Sequence, residues 1–468
     1  MEWKTIKKIT FLVLAWVFFP IVSVAICQTD APQTQSKVPL NPKRVYKVTT
    51  YLLTCLYENL TGPFIPSILQ YGWHKLSSER KRTSVRKNIR YGPGHRNRLD
   101  IYLPDRVSTT VFMNNKIYND NMGQPASHST PIPNQQQNDT PVIIFIGTSW
   151  NSVDQDDHHL RKHHMYHSYL FFNLTGNRAT CMPVAHNLQS QGYIVIVPDI
   201  TLYPNGRIAN MVADVQKCIS WTHTHISSFR GDPSQIYLMG HGAGSLLSAL
   251  TIVHDACATL NVLPSNNTDV NIPVWDNIRR TTLPRVQGLI LFSGVYDITY
   301  YYAYLYQRGL EQVHALPRVM GNKPEAFLQC SPTYLLSHAL DRVQNIEQLK
   351  ALLPRKVVLI HGEQQDTFSP AITARNFYFL LDSAGIPSVQ LKIYNNIKHI
   401  SPKIDLIVPT KSLCVKLLED VKECCKGQGE VVIVGGKLKE KRDESEEEII
   451  EDNVKRRGSS RRKSQVRR

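Results

Sequence analysis

Short, almost uninterrupted apolar runs recur along the middle of the chain, at residues 142–146 (VIIFI), 193–197 (YIVIV), 236–239 (IYLM), 286–292 (VQGLILF) and 357–360 (VVLI). A later run at 389–394 (VQLKIY) is more alternating. Runs this short, rich in β-branched residues and apolar on both sides of the pleat, predict strands buried on both faces. Between them lie longer stretches with helical spacing, at about 209–228, 246–254 and 371–384, and a closing one within 406–425. An earlier segment, Asn97-Arg98-Leu99-Asp100-Ile101-Tyr102-Leu103-Pro104, alternates like an outer strand. Strand and helix in alternation imply an α/β fold class, a mostly parallel central sheet with helices on both faces.

Breaks in the pattern divide the chain. Residues 105–139 are rich in Asn, Gln, Ser and Thr; such a composition cannot bury enough apolar surface to order itself, which predicts a flexible surface insertion. At the N-terminus, Lys4, Lys7 and Lys8 precede an uncharged run from Ile9 to Cys27. A positive region followed by an apolar segment reads as a signal peptide or signal anchor over 1–28, with the body sent into the secretory lumen, membrane-anchored or secreted. Residues 29–83 contain a second, more polar apolar stretch at 45–69 and read as an amphipathic, membrane-proximal region. The α/β domain is expected over 84–428. Residues 429–468 pass from an acidic run into a basic one and read as a disordered charged tail.

The 468 residues carry a formal net charge of +16 and 42% hydrophobic residues, enough for a sizeable core. The positive charge gathers in runs before the domain and in the tail, without interleaved aromatics, so it gives no nucleic-acid reading head. Nine cysteines are dispersed with no C-x-x-C pair, which excludes a ribbon-type zinc site and leaves any disulfide unassigned. N-x-[ST] sequons at Asn59, Asn138, Asn173 and Asn266 agree with a luminal body. His159, His163 and His167 stand at i, i+4 and i+8, a spacing that can bind zinc or copper on one helix face. An exposed polar helix start is the plainer reading, and no metal or other cofactor is expected.

The chemistry centres on Leu238-Met239-Gly240-His241-Gly242-Ala243-Gly244-Ser245, between a predicted strand and a predicted helix. Gly240 and Gly244 keep the spacing of the G-x-S-x-G nucleophile elbow, where a serine sits on a sharp strand-to-helix turn. The central residue here is Gly242, which has no side chain with which to attack. After the strand at 357–360, the loop His361 to Pro370 places a carboxylate where an orienting acid belongs. Asp366 is the first choice and Glu363 the second. After the strand at 389–394 comes His399, in the place of a general base. Nucleophile position, acid and histidine thus follow one another in the order of that fold.

Several stretches resemble one family. Tyr91-Gly92-Pro93, the Asn97 to Pro104 strand, Val212-Ala213-Asp214, and the run from Arg230 through Asp232 and Pro233 to Gly240 are similar to the isoprenylcysteine methylesterase-like carboxylesterases. The resemblance covers about residues 84–409. It implies an α/β-hydrolase fold with a Ser-Asp-His triad and often an endomembrane tether. It also implies hydrolysis of carboxylic esters, with a prenylcysteine methyl ester as a candidate. By position it places the nucleophile on Gly242, the acid on Asp366, the base on His399 and an oxyanion amide on Ala243. The chain departs from the family at Gly242. It departs again at Ile146-Gly147-Thr148-Ser149-Trp150, where relatives carry a glycine-rich oxyanion turn and this chain has Gly147 alone, followed by Thr148. Two losses in one mechanism predict a catalytically silent or impaired protein that keeps a pocket for a lipid or ester-like small molecule. The alternatives are an esterase that activates water through His399 and Asp366, and a membrane-tethered scaffold for an unknown protein partner.

Overall fold

The computed structural model describes residues 84–104, 140–148, 150, 178–264, 275, 283–311, 314–363, 368–395, 397–399, 402, 406 and 412–425. The expected leader and membrane-proximal region, the insertion at 105–139, His159, His163 and His167, the four sequons, Asp366 and the charged tail lie outside them.

Eight strands form one sheet: β1 (Val85–Arg90), β2 (Arg98–Tyr102), β3 (Thr140–Ile146), β4 (Ile194–Pro198), β5 (Gly231–His241), β6 (Gly288–Phe292), β7 (Lys356–Gly362) and β8 (Ser388–Tyr394). Their order is β1-β2-β4-β3-β5-β6-β7-β8. β2 runs antiparallel to β1 and β4, and the remaining pairs are parallel. The sheet is therefore mostly parallel, as the apolar runs require.

Helices α1 (Arg178–Ser190), α2 (Ile208–His225), α3 (Ala243–Thr259), α4 (Ile298–Gln307), α5 (Leu316–Val319), α6 (Pro324–Gln329), α7 (Pro332–Arg342), α8 (Ile346–Leu352), α9 (Ala371–Ser383) and α10 (Ser412–Cys425) surround it. Alternate strand residues feed two separate cores. Val142, Ile144, Leu238, Leu289, Leu291, Val357 and Leu359 pack with α2, α3 and α9. Ile143, Phe145, Met239, Ile290, Phe292, Val358 and Ile360 pack with α1 and α10. Burial from both sides is why the central strands are apolar at successive positions.

Three features depart from the sequence expectation. β2 is covered by β1, whose VRKNIR sequence is too charged to read as a strand; the outer strand of the pattern is thus the second one. Helix α3 begins three residues earlier than its apolar run, at Ala243, because Gly242 can make the turn and two small residues follow it. Between β6 and β7 the chain builds four helical segments after α4, in a region the periodicity leaves unassigned. They are short and irregular, with Pro near the start of three of them.

Among the described residues, no helix is long and apolar enough to cross a membrane. Seven cysteines lie buried there as free thiols.

Candidate active site

The strand order reverses between β3 and β5, and in open α/β sheets the crevice at the carboxyl ends of such strands receives ligands. β5 ends at His241, and Gly242 makes the turn with φ 55° and ψ −113° before α3 begins. A positive φ at this point favours glycine. The turn is tied down on both sides: Gly242 N–H donates to Phe292 O at 2.9 Å, and Gly242 O accepts from Ser245 N at 3.1 Å. The flanking glycines are required by close backbone approach. A Cβ at Gly240 would lie 2.5 Å from Gly244 O, and one at Gly244 would overlap the carbonyl oxygen of Ile146. The turn therefore has the form of a nucleophile elbow, with glycine at its apex.

A Cβ at Gly242 would point at His399, 3.0 Å from Nε2 and 3.4 Å from Cε1. The imidazole stands beside the place from which a nucleophile would project. Its surroundings hold it there: His241 Nε2 donates to His399 O at 2.7 Å, Phe368 lies with its ring centre 5.4 Å away, and Ser369 Oγ is 3.3 Å from Nδ1. His241, the residue between Gly240 and Gly242, thus ties the loop that carries His399 to β5.

Ser369 carries the hydrogen-bond logic of the site. Its Oγ also lies 3.1 Å from Ser293 O and 3.1 Å from His361 Nε2. His361 is buried, and its Nδ1 faces Gly362 O at 2.8 Å. A carbonyl only accepts, so His361 carries a proton on Nδ1. Ser369 Oγ thus lies within hydrogen-bond distance of Ser293 O, His361 Nε2 and His399 Nδ1, and the other ring nitrogen of His399, Nε2, faces Gly242. Burial and the charges of Arg318 and His399 push the neighbouring His314 down to about 3, so it stays neutral near neutral pH.

On the other side of the turn, Gly147 and Thr148 follow β3. Gly147 O accepts a weak hydrogen bond from Cys181 Sγ at 3.3 Å, and a Cβ on Gly147 would overlap that sulfur. Ala243, the first residue of α3, supplies the backbone amide next to the turn. Gly242, Ala243 and His399 are thus brought together, with Gly147 and Thr148 at the end of the neighbouring strand. Glu363, the second choice for the acid, gives both carboxylate oxygens to Arg375, at 2.8 and 2.7 Å. Ser245 is no substitute nucleophile: it is fully buried and donates to Phe292 O at 2.7 Å. Ser369, His361 and His241 are not legible as site residues in the sequence. His361 and His241 only end strands there, and a lone serine after a carboxylate carries no signal.

Known proteins resemble this chain over most of the same region. The BD-FAE family model matches residues 169–340. A protein of Arabidopsis thaliana named probable isoprenylcysteine alpha-carbonyl methylesterase is 25% identical over 371 residues, covering 75% of this chain and 69% of that protein. A second from the same plant, named isoprenylcysteine alpha-carbonyl methylesterase, is 25% identical over 348 residues, covering 74% and 62%. A probable carboxylic ester hydrolase of Mycobacterium tuberculosis is 25% identical over 239 residues, half of this chain (50%) and 47% of the relative. Among solved structures, an esterase B from Lactobacillus rhamnosis superposes with a TM-score of 0.48 at 15% identity, covering 80% of this chain and 94% of that one.

Proposed function

From a chain related to carboxylic ester hydrolases of the α/β-hydrolase fold, we propose a protein that keeps the esterase site without its nucleophile and is silent, or nearly so, toward esters. Its pocket receives an ester-like small molecule, with prenylcysteine methyl esters the first class to test because two relatives are named for them. The observation that carries this reading is the glycine at the apex of the elbow, where an added Cβ would lie 3.0 Å from His399 Nε2. The turn is built with His399 beside it, and Gly242 carries no hydroxyl that could attack. Enzymes stripped of one triad member retain only about 10³ to 10⁴-fold acceleration over water. The lysine-flanked apolar N-terminus supports an endomembrane location for the same protein, anchored or released into the lumen.

The test is to purify the full chain in detergent and measure methanol release from N-acetyl-S-farnesylcysteine methyl ester, and aryl ester cleavage. Parent protein, Gly242→Ser and His399→Ala are compared. The expected result is no turnover by the parent above the His399→Ala background, and a gain in Gly242→Ser. Turnover by the parent that His399→Ala abolishes would overturn the proposal. Mapping the mature N-terminus and testing membrane extraction at high pH decides the location.

A further inference from the structure

The two edges of the sheet are built differently. β1, at one end, carries Arg86, Lys87 and Arg90, and its pairing with β2 is broken by a register shift between Arg86 and Ile89, with Asn88 at φ 64°. Cations and a bulge on an edge strand keep a further strand from pairing with it. β8, at the other end, has neither device. It holds register with β7 without a shift along its whole length, from Ser388 to Tyr394. Its one cation, Lys392, is neutralised within the chain by Asp420 and Glu423. We infer that β8 is an interface between two copies of this chain, paired antiparallel about a two-fold axis at Leu391.

The direction of the backbone groups leads to that register. Ser388 N–H donates to Arg355 O at 3.2 Å, and Tyr394 O accepts from Glu363 N–H at 3.2 Å, so both residues turn their backbone groups toward β7. Along a strand this direction alternates. Gln390 and Lys392 therefore face β7 as well. Val389, Leu391 and Ile393 turn their N–H and C=O groups to the open edge, where no strand lies among the described residues. Antiparallel pairing sets outward residues opposite outward residues. Centred on Leu391, it places Leu391 opposite Leu391 and Val389 opposite Ile393, and every outward N–H meets a C=O.

The side chains fit the same register. Val389 and Leu391 pack on the core that α9 covers, whereas Gln390 and Lys392 lie on the opposite face, bonded to α10 through Glu423 and Asp420. In the paired copies Gln390 stands opposite Lys392, where the two backbones come closest. Gln390 Nε2 donates to Glu423, and its buried Oε1 has no hydrogen-bond partner among the described residues. Lys392 Nζ directs two of its three N–H groups to Asp420 and Glu423. The third reaches Gln390 Oε1 of the second copy, and the symmetry makes this contact twice. α9, which packs on β7, β8 and α7, leaves Ile372 40% and Phe379 63% exposed, apolar surface of the kind that association covers. Two-fold pairing occupies both β8 edges and ends on the protected β1 edges, so the assembly closes at two copies.

The experiment is sedimentation equilibrium of the full chain at micromolar concentrations, in detergent matched in density to the solvent so that only protein mass is read. The parent is compared with Leu391→Pro and Gln390→Lys, and it is expected to have the mass of two chains. Proline at 391 removes an N–H that faces the open edge and none that faces β7. Leu391→Pro is therefore expected to sediment as one chain while the circular dichroism spectrum is kept. Gln390→Lys sets ammonium groups opposite one another across the axis and is expected to raise the dissociation constant at least tenfold. A parent with the mass of one chain overturns the inference, as does a parent mass above two. Retention of the two-chain mass by a folded Leu391→Pro overturns it as well. Should Leu391→Pro fail to fold, Gln390→Lys decides alone, and a rise of less than tenfold overturns the inference.

Discussion

Gly244 is the residue whose replacement is most constrained by the geometry. A methyl group there would overlap the backbone oxygen of Ile146, at the end of the adjacent strand. Backbone cannot swing aside as a side chain does, so Gly244→Ala is expected to cost roughly 3 kcal/mol by forcing α3 away from β3. Urea unfolding of the variant beside the parent measures this, and a loss below about 1 kcal/mol would show that the turn yields. Gly242 differs in kind. Its added Cβ meets only the tip of the His399 imidazole, at 3.0 Å, and the penalty comes instead from its positive φ, a strain of about 1–3 kcal/mol for any other residue. A serine can therefore be restored at the apex within a fold that stands, whereas a side chain at Gly244 has nowhere to go.

At the scale of elements, β8 is the terminal strand of the sheet, and α10 secures it through Asp420. This buried carboxylate accepts from Lys392 Nζ at 2.6 Å and from Tyr394 OH at 2.7 Å, both on β8. Asp420→Ala leaves a partly buried ammonium and a phenol without their shared acceptor, and is expected to cost about 2 kcal/mol. The loss should also be visible locally. Cys424 and Cys425 sit buried at the end of α10, where burial pushes the Cys424 thiol up to about 12. In the parent they should resist a thiol reagent at pH 8, and in Asp420→Ala their labelling should speed up at least tenfold. Equal labelling rates would show that the apolar face of α10, with Glu423 on Gln390 and Lys392, holds the helix without Asp420. Here the sequence is only partly informative. The helix within 406–425 is legible from its spacing, but its partner is not, because Lys392 and Tyr394 lie 28 and 26 residues from Asp420.

For the whole molecule, the pH dependence of stability contains two opposed contributions from neighbours on α3. His254 is buried against Trp275, with ring centres 4.2 Å apart, and neither ring nitrogen has a hydrogen-bond partner among the described residues. Burial holds it down at about 4. Below pH 6.5 the unfolded chain takes up a proton that the folded one refuses, so stability is lost as pH falls, by about 3 kcal/mol by pH 4. Burial raises Asp255 to about 6, against a hydrogen bond from Leu283 N–H that lowers it. Above pH 3.8 the unfolded carboxyl ionises first, so this contribution is lost as pH rises toward 6. The two slopes oppose one another between about pH 4 and 6. Between pH 4.5 and 6.5, His254→Phe is expected to gain less stability than the parent, and Asp255→Asn to gain more. Urea midpoints at those two pH values check both signs, and unchanged slopes in the two variants would contradict the burial argument.

Local pattern suffices for what depends on neighbours in the chain. The apolar runs announce a mostly parallel sheet because burial on both faces removes polar residues from a strand. The glycine spacing announces the elbow because backbone crowding at a sharp turn acts between residues a few positions apart. The order of Gly242 and His399 along the chain is also legible. Tertiary structure decides everything that depends on which strand ends meet: that His399 faces Gly242, that His241 ties its loop to β5, and that Ser369 stands between His361 and His399. The bonds from His241 and Ser369 to His399 join residues 158 and 30 positions apart in the chain. Hydrogen bonds are directional and short, so they exist only once the sheet has brought the strand ends into register, and no local pattern in the sequence encodes them.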